Sequence, residues 1–394
     1  MSPSTDSSPV YLDYNATAPL RPEARAALLA ALAAPANPSS VHGFGRAARS
    51  IAESAREQVA ALAGAEPKRV VFTSGGTEAN NLAIALARAP VSGPVGARPG
   101  VTRLVVSAIE HDSVLRPARA SGLPVTEVPA GPDGRVDPAA VAAALDAGEG
   151  PALVCLMLAN NETGVIQPVA DVTRLAHERG ALVLCDAVQA AGKIPLDLAA
   201  LGCDFLTLSA HKLGGATGCG ALITRDDWAP APLIRGGGQE LGQRAGTENL
   251  GGIAAFGAAA AVARASLPEQ AARIAGLRDR LQAALTGACP AAVVYGAEAG
   301  GMGAGRLPNT LCIGMPGVPA ETQVMALDLA GVAVSAGSAC SSGKVTPSHV
   351  LTAMGLPGQA AREAVRFSLG WASTDADIER AASAWIALAA RKVK

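Results

Sequence analysis

Five short apolar runs, each closed by a polar or Gly-rich turn and most followed by a helical Ala/Leu pattern, constrain this chain more than any other feature. They fall at 70–73, 103–107, 152–158, 182–185 and 204–208. Near-continuous apolar runs of this length are strands covered on both faces, and the helices between them make the crossovers of a mainly parallel sheet. The spacing therefore predicts an α/β fold whose ligands sit at the C-terminal ends of the strands. Aromatic residues are 3% of the chain, while Gly numbers 44 and Pro 27. The core must then come from Ala, Val, Leu and Ile with many tight turns, which suits α/β layers better than an aromatic-rich sandwich.

The 394 residues are enough for one large or two ordinary domains. Near Ala271 the pattern changes to a long amphipathic helix with Ile274, Leu277, Leu281 and Leu285 on one face. That change predicts entry into a second domain, completed by an α+β stretch that includes 309–314 and 365–369. A formal net charge of −1 with no basic block gives no electrostatic footprint for nucleic acid or an anionic membrane. No apolar stretch approaches the roughly 20 residues of a membrane span. Residues 1–9 are Ser/Pro-rich and resemble neither a secretory signal nor a transit peptide, so a cytoplasmic protein is expected. The seven cysteines are scattered, with no C-x-x-C pair. Neither a disulfide framework nor a metal site is expected from them.

Residues 70–78 read as a strand, a two-glycine turn at Gly75-Gly76 and a helix start, with Thr77 placed to cap and Glu78 in the first turn. Free backbone N–H groups at a helix start attract anions, and glycine lets a phosphate approach closely. By itself the turn reads equally as an ordinary βα connection. Ser209-Ala210-His211-Lys212 follows the fifth run, and Asp186 ends the fourth. A lysine and an acid at neighbouring strand ends are what pyridoxal phosphate needs: the amine forms a Schiff base with the aldehyde, and the carboxylate holds the proton on the pyridinium nitrogen. Alone, each reads as a surface lysine or a capping aspartate. His111 lies just past the second run, where its ring can stack on a cofactor and move protons or simply bond the loop. Asn160 to Gly164 and Gln189 follow two more strands, as ligand contacts or as plain turn residues. In 335–344 every residue but Lys344 is small, which leaves the Cys340 thiol on a bendable, unshielded segment.

Taken together these motifs resemble the cysteine desulfurases of the NifS and IscS type, within the class V aminotransferase group of fold-type I pyridoxal-phosphate enzymes. The resemblance runs nearly end to end: Tyr11 to Thr17, Asn37 to His42, Thr73 to Asn81, Glu110-His111, Asn160 to Gly164, Asp186 to Gln189, Ser209 to Lys212, Arg244 to Asn249, the Cys340 segment and Arg366 to Gly370. It implies a large domain over 19–262 with a mainly parallel seven-stranded sheet flanked by helices. A smaller α+β domain from 1–18 and 263–394 would carry the Cys340 loop. It also implies pyridoxal 5′-phosphate on Lys212, with Asp186 at the ring nitrogen, Gln189 at the phenolic oxygen and His111 over the ring. Gly76, Thr77, Ser209 and His211 would hold the phosphate, with Thr247 reaching that of the other subunit of a homodimer. Asn161 and Arg366 would bind the carboxylate of L-cysteine. Cys340 would take the sulfur as a persulfide, leaving L-alanine, and pass it to an iron–sulfur scaffold or another acceptor. One departure is visible: Gly215-Ala216-Thr217-Gly218 stands where that family usually has a Gly-Pro sequence. Other readings are a selenocysteine lyase or another pyridoxal-phosphate lyase, less dependent on Cys340, and a non-catalytic sulfur carrier or scaffold-binding protein.

Overall fold

The computed structural model describes residues 9–392 except 36, 94–95, 227, 229–230, 298–304 and 338–346. Numbered along the chain, the strands are β1 Val10–Tyr11, β2 Val70–Thr73, the hairpin β3 Val91–Gly93 and β4 Gly96–Arg98, β5 Arg103–Ser107, β6 Val125–Val128, β7 Ala152–Cys155 and β8 Leu182–Asp186. There follow β9 Phe205–Ser209, β10 Gly220–Thr224, β11 Val293–Tyr295, β12 Thr310–Gly314, β13 Val332–Ala333, β14 Ser335–Ala336 and β15 Ala364–Ser368. One sheet has seven strands in the order β2-β10-β9-β8-β7-β5-β6, parallel except for β10, which runs against both neighbours. A second, antiparallel sheet has the order β11-β12-β15-β14.

The large sheet shows why its strands read as unbroken apolar runs. Along β2, β7 and β8 successive side chains divide between two cores. Val70, Phe72, Val154, Val183 and Cys185 pack on one face. Val71, Leu153, Cys155, Leu182 and Leu184 pack on the other. Helices Gly43–Leu62 and Leu250–Ala265 cover the first face, and Gly76–Arg88 with Asp112–Ala120 covers the second. With both faces buried, a polar residue on either would be stranded, so alternation is lost. A third core gathers Leu277, Leu281 and Leu285 of the long helix Leu267–Ala288, together with Leu311, Ile313, Val365, Phe367 and Trp385, around the small sheet. The N-terminal segment joins this unit, because β1 pairs with β13 and Leu12 lies in the same core. No single helix among the described residues is long and apolar enough to cross a membrane.

Several expected bounds move, each for a local reason. The run 152–158 is a strand only to Cys155, because the Met157 N–H is taken by the Glu110 carboxylate at 2.6 Å rather than by a neighbouring strand. The run 204–208 shifts by one residue. Asp204 turns its carboxylate to the Val183 N–H and to His177, and the strand begins at Phe205. Thr77 does not cap its helix. Gly75 holds that position, and Glu78 reaches back to the Ser74 N–H at 2.7 Å.

β2 lies at the margin of the large sheet, so its outer backbone groups have no strand to meet. They are met by side chains: Arg56 donates to the Val70 carbonyl at 2.6 Å, and Glu240 accepts from the Phe72 N–H at 2.7 Å. The two side chains also bond each other twice, at 2.9 and 2.8 Å. Glu240 and Leu241 reach this point with φ of 47° and 56°, a left-handed backbone that non-glycine residues adopt at a cost.

Candidate active site

The parallel strands all deliver their C-terminal ends to one side of the sheet, and β2 ends there too. The loops that leave them enclose a cavity of about 260 Å³ lined by Gly76, Thr77, His111, Asn161, Asp186, Gln189, Ser209, His211 and Lys212, with Met157, Ala159 and Val188 among the apolar walls. An adjoining cavity of about 370 Å³ shares His111, Asn161, Gln189 and Lys212 and adds Asn15, His349 and Arg366.

Asp186 is fixed by position and by bonds. It closes β8 in register with Thr207 of β9. Its Oδ2 accepts from Asn80 Nδ2 at 2.8 Å, and its Oδ1 from the Val188 N–H at 3.0 Å. Asn80 is buried and held in turn by the Thr207 hydroxyl at 2.7 Å, so the carboxylate cannot swing. Gly76 is required by a close approach: a Cβ there would lie 2.8 Å from Val188 Cγ2.

Lys212 ends the 3-10 turn Ala210–Lys212 that follows β9. Its Nζ donates to the carbonyls of Asn15 at 2.6 Å and Ala16 at 2.8 Å. Burial, and then the Arg366 guanidinium, bring its ammonium down to about 8 against the pull of Asp13 and Asp186. His211 is pushed down to about 4 by burial and then by Lys212, so it is neutral at pH 7. His111 is held below the usual histidine range, chiefly by burial. Its Nδ1 accepts the Ser113 N–H at 3.1 Å and caps the helix Asp112–Ala120, which leaves the ring proton on Nε2. The capping role and the cavity position coexist in one side chain.

Arg366 is on β15, in the small sheet. One arm meets Asp13 at 2.6 Å and the other the Asn161 carbonyl at 3.0 Å, while its Nε is buried without a partner among the described residues. Asp13 thus fixes the guanidinium without using all of its donors. The leftover capacity beside an open cavity suits a carboxylate, which a guanidinium binds in a fixed pose.

The structure brings together nine of the expected residues in the first cavity and Arg366 in the second. Two others stand apart. Thr247 is exposed and does not line this chain's cavity. Cys340 lies outside the described residues; of the other thiols five are buried and Cys289 is half-buried. For Asn160, open between a ligand contact and a turn residue, the side chain serves the turn. Its amide donates to the Ile109 carbonyl, and its oxygen accepts from the N–H groups of Glu162 and Thr163. Asp13, Asn15 and Lys193 were not among the expected site residues. Asp13 and Asn15 are in a recognised motif, Tyr11 to Thr17, but nothing local in it points to Arg366 or Lys212.

A lysine and a fixed carboxylate stand at adjacent strand ends of this α/β protein, beside a glycine-lined helix start, a donor set that suits an aldehyde cofactor. The chain belongs to the aminotransferase class-V family, whose model matches residues 10–381. It is similar to a cysteine desulfurase of Cereibacter sphaeroides, 46% identical over 377 residues, or 94% of this chain and 93% of that protein. Among solved structures it resembles a NifS-like protein from Rickettsia africae, with a TM-score of 0.85 and 32% identity over 96% of this chain and 98% of that one. It also resembles SspA in complex with cysteine, with a TM-score of 0.75 and 30% identity over 91% and 98% of the two chains.

Proposed function

We propose that the protein is a pyridoxal-phosphate-dependent cysteine desulfurase. The observation that carries this reading is the convergence of Lys212, Asp186, His111 and Gln189 on one cavity, with Arg366 facing the next. The residues present suit the cofactor. Gly76, Thr77, Ser209 and His211, around a helix start, would hold its phosphate, Asp186 is a pinned carboxylate that would meet the ring nitrogen, and Lys212 is an amine with a lowered proton affinity. Gln189 is assigned to the phenolic oxygen, His111 to the ring face and Thr247 to the phosphate of a partner subunit in a homodimer. When bound, pyridoxal 5′-phosphate supplies an electron sink for the pair left on the substrate Cα.

Arg366 and Asn161 hold the carboxylate of L-cysteine, which sets the Cα hydrogen in one direction. The Lys212 amine, part unprotonated near neutral pH, takes that proton. His111, neutral and with its Nδ1 occupied by the helix, handles protons at Nε2. The Cys340 thiolate attacks the substrate sulfur, and the carbon–sulfur bond breaks. The sulfur stays on Cys340 as a persulfide, and the carbon skeleton takes up one proton at Cβ, matching the one that the Cys340 thiol gave up, regains one at Cα from Lys212, and leaves as L-alanine. The reaction is balanced without an outside oxidant. The persulfide then passes to an acceptor protein such as an iron–sulfur scaffold, in the cytoplasm. The same reading divides the chain into a large domain at 19–262 and a small domain from 1–18 and 263–394. SspA bound to cysteine supports L-cysteine as the substrate.

The test is Cys340→Ala. It is expected to retain the visible absorption of the loaded protein yet form no alanine from L-cysteine, and mass spectrometry should find one added sulfur on Cys340 of the wild type alone. Near-normal alanine formation by the variant, or a sulfur mapped to Cys155, Cys185, Cys203, Cys219, Cys289 or Cys312, would overturn it. Turnover of selenocysteine but not cysteine by wild type would point to a selenocysteine lyase instead.

A further inference from the structure

Seven residues after Asp186, a second lysine lies against the site from behind. Lys193 Nζ donates to Gln189 Oε1 at 2.6 Å and to Asn15 Oδ1 at 2.9 Å. Among the described residues no carboxylate is a hydrogen-bond partner of Lys193. Burial, and then the cations Lys212 and Arg366, hold its proton affinity well below the usual lysine range. Such a placement is costly and calls for a return elsewhere.

The return lies in Gln189. The Asn15 carbonyl can only accept, so the Gln189 amide turns its nitrogen there and its oxygen to Lys193, whose Nζ carries N–H donors whether or not it is charged. Nε2 donates to that carbonyl at 2.9 Å. Both contacts demand the same orientation, and they leave the second Nε2 hydrogen for the cavities that Gln189 lines. Asn15 is itself immobile: its Nδ2 donates to the Asn161 carbonyl and to the Thr310 hydroxyl, and its Oδ1 also accepts from Asn309. Its carbonyl is the one that receives Lys212.

We infer that Lys193 is a positioning residue, which locks the Gln189 amide with an N–H rather than a carbonyl toward the bound cofactor. This rests on the assignment of Gln189 to the phenolic oxygen made above. Without Lys193 only the Asn15 carbonyl holds the amide, so the flipped rotamer, with an acceptor toward an oxygen that carries negative charge, becomes accessible. The titratable and charged groups that line the two cavities are otherwise His111, Asp112, Glu162, Asp186, His211, Lys212, His349 and Arg366, with Asp13 bonded to Arg366.

The test is the pH midpoint of the visible band of the cofactor-loaded protein, which follows a proton on the Lys212 nitrogen. A donor on the neighbouring oxygen draws off the negative charge that holds this proton, so losing the donor raises the midpoint. Lys193→Met is expected to raise it by about one pH unit, the worth of one hydrogen bond. It should lower kcat and leave KM for L-cysteine unchanged. Gln189→Ala is expected to give a similar rise, and the double variant no more than either alone. Lys193→Gln, which loses the charge but keeps an N–H for Gln189 Oε1, should shift the midpoint less than Lys193→Met. Equal shifts in those two variants would overturn the inference in favour of charge alone, and so would an unmoved midpoint in Lys193→Met when Gln189→Ala moves it. If Lys193→Met does not fold, Lys193→Gln still decides, because a shift as large as that of Gln189→Ala overturns positioning. An unmoved midpoint in Gln189→Ala overturns the assignment of Gln189 itself.

Discussion

The floor of the site and its wall are held in different ways. The floor is Asp186, Ser209 and Lys212, at or just past the ends of β8 and β9, strands that pair in one sheet. The wall is Asp13, Asn15 and Arg366, and the ion pair that fixes it joins residues 353 positions apart. Floor geometry follows from strand register, which many backbone bonds enforce, so one side chain can be removed without moving the others. Wall geometry follows from docking the small sheet and the N-terminal segment onto the large one. The contrast teaches that the chemistry rests on the more rigid part, while the grip on the substrate depends on how two units meet.

The strongest way to break this contrast is at the floor. Lys212→Ala is expected to fold normally, lose the visible band and cut alanine formation by about 10³-fold or more, as the loss of both an anchor and a base requires. A variant with the wild-type spectrum and rate would place the anchor elsewhere. At the wall the effect is smaller and of another kind. Arg366→Ala should raise KM for L-cysteine by about 10- to 100-fold, from the loss of a charge-assisted hydrogen bond, with the visible band intact. A lost band there would mean that floor and wall are one unit.

The smallest effect concerns the one residue that touches both. Lys212 titrates at about 8 in the cofactor-free protein, because burial and Arg366 act on it. Only the unprotonated amine reacts with an aldehyde, so capture of pyridoxal phosphate by the cofactor-free protein should speed up about tenfold from pH 7 to 9 and then level off. An ordinary lysine would go on gaining rate to about pH 10. Stopped-flow absorbance distinguishes the two curves.

The same contrast explains what could be read from the chain. Asp186, Ser209 and Lys212 were legible because each ends an apolar run, and a strand end is a local property. β10 was not, since the ten residues between β9 and Gly220–Thr224 hold only the 3-10 turn Ala210–Lys212, with no α-helix to announce a separate strand. Lys193 was hidden by its setting, a lysine in an ordinary turn whose partner Asn15 is 178 positions earlier. Asp13 belonged to a recognised motif, yet its bond to Arg366 depends on docking that no local pattern records. The Thr77 cap failed because a glycine can start a helix when a carboxylate one turn on supplies the missing acceptor.

Arg56 and Glu240 bear on a different hazard, the fate of the chain before it is finished. An uncovered apolar strand margin is a template on which other chains can add, and natural sheets blunt it with charge. β10, the inner neighbour of β2, is completed at Thr224, and Glu240 emerges sixteen residues later. Pairing on the inner side and closure on the outer side thus become possible almost together during synthesis. A chain lacking Glu240 would leave the Phe72 N–H open and Arg56 with only the more exposed Glu53 as its ionic partner, and its penalty would be read in the insoluble fraction as much as in the melting curve.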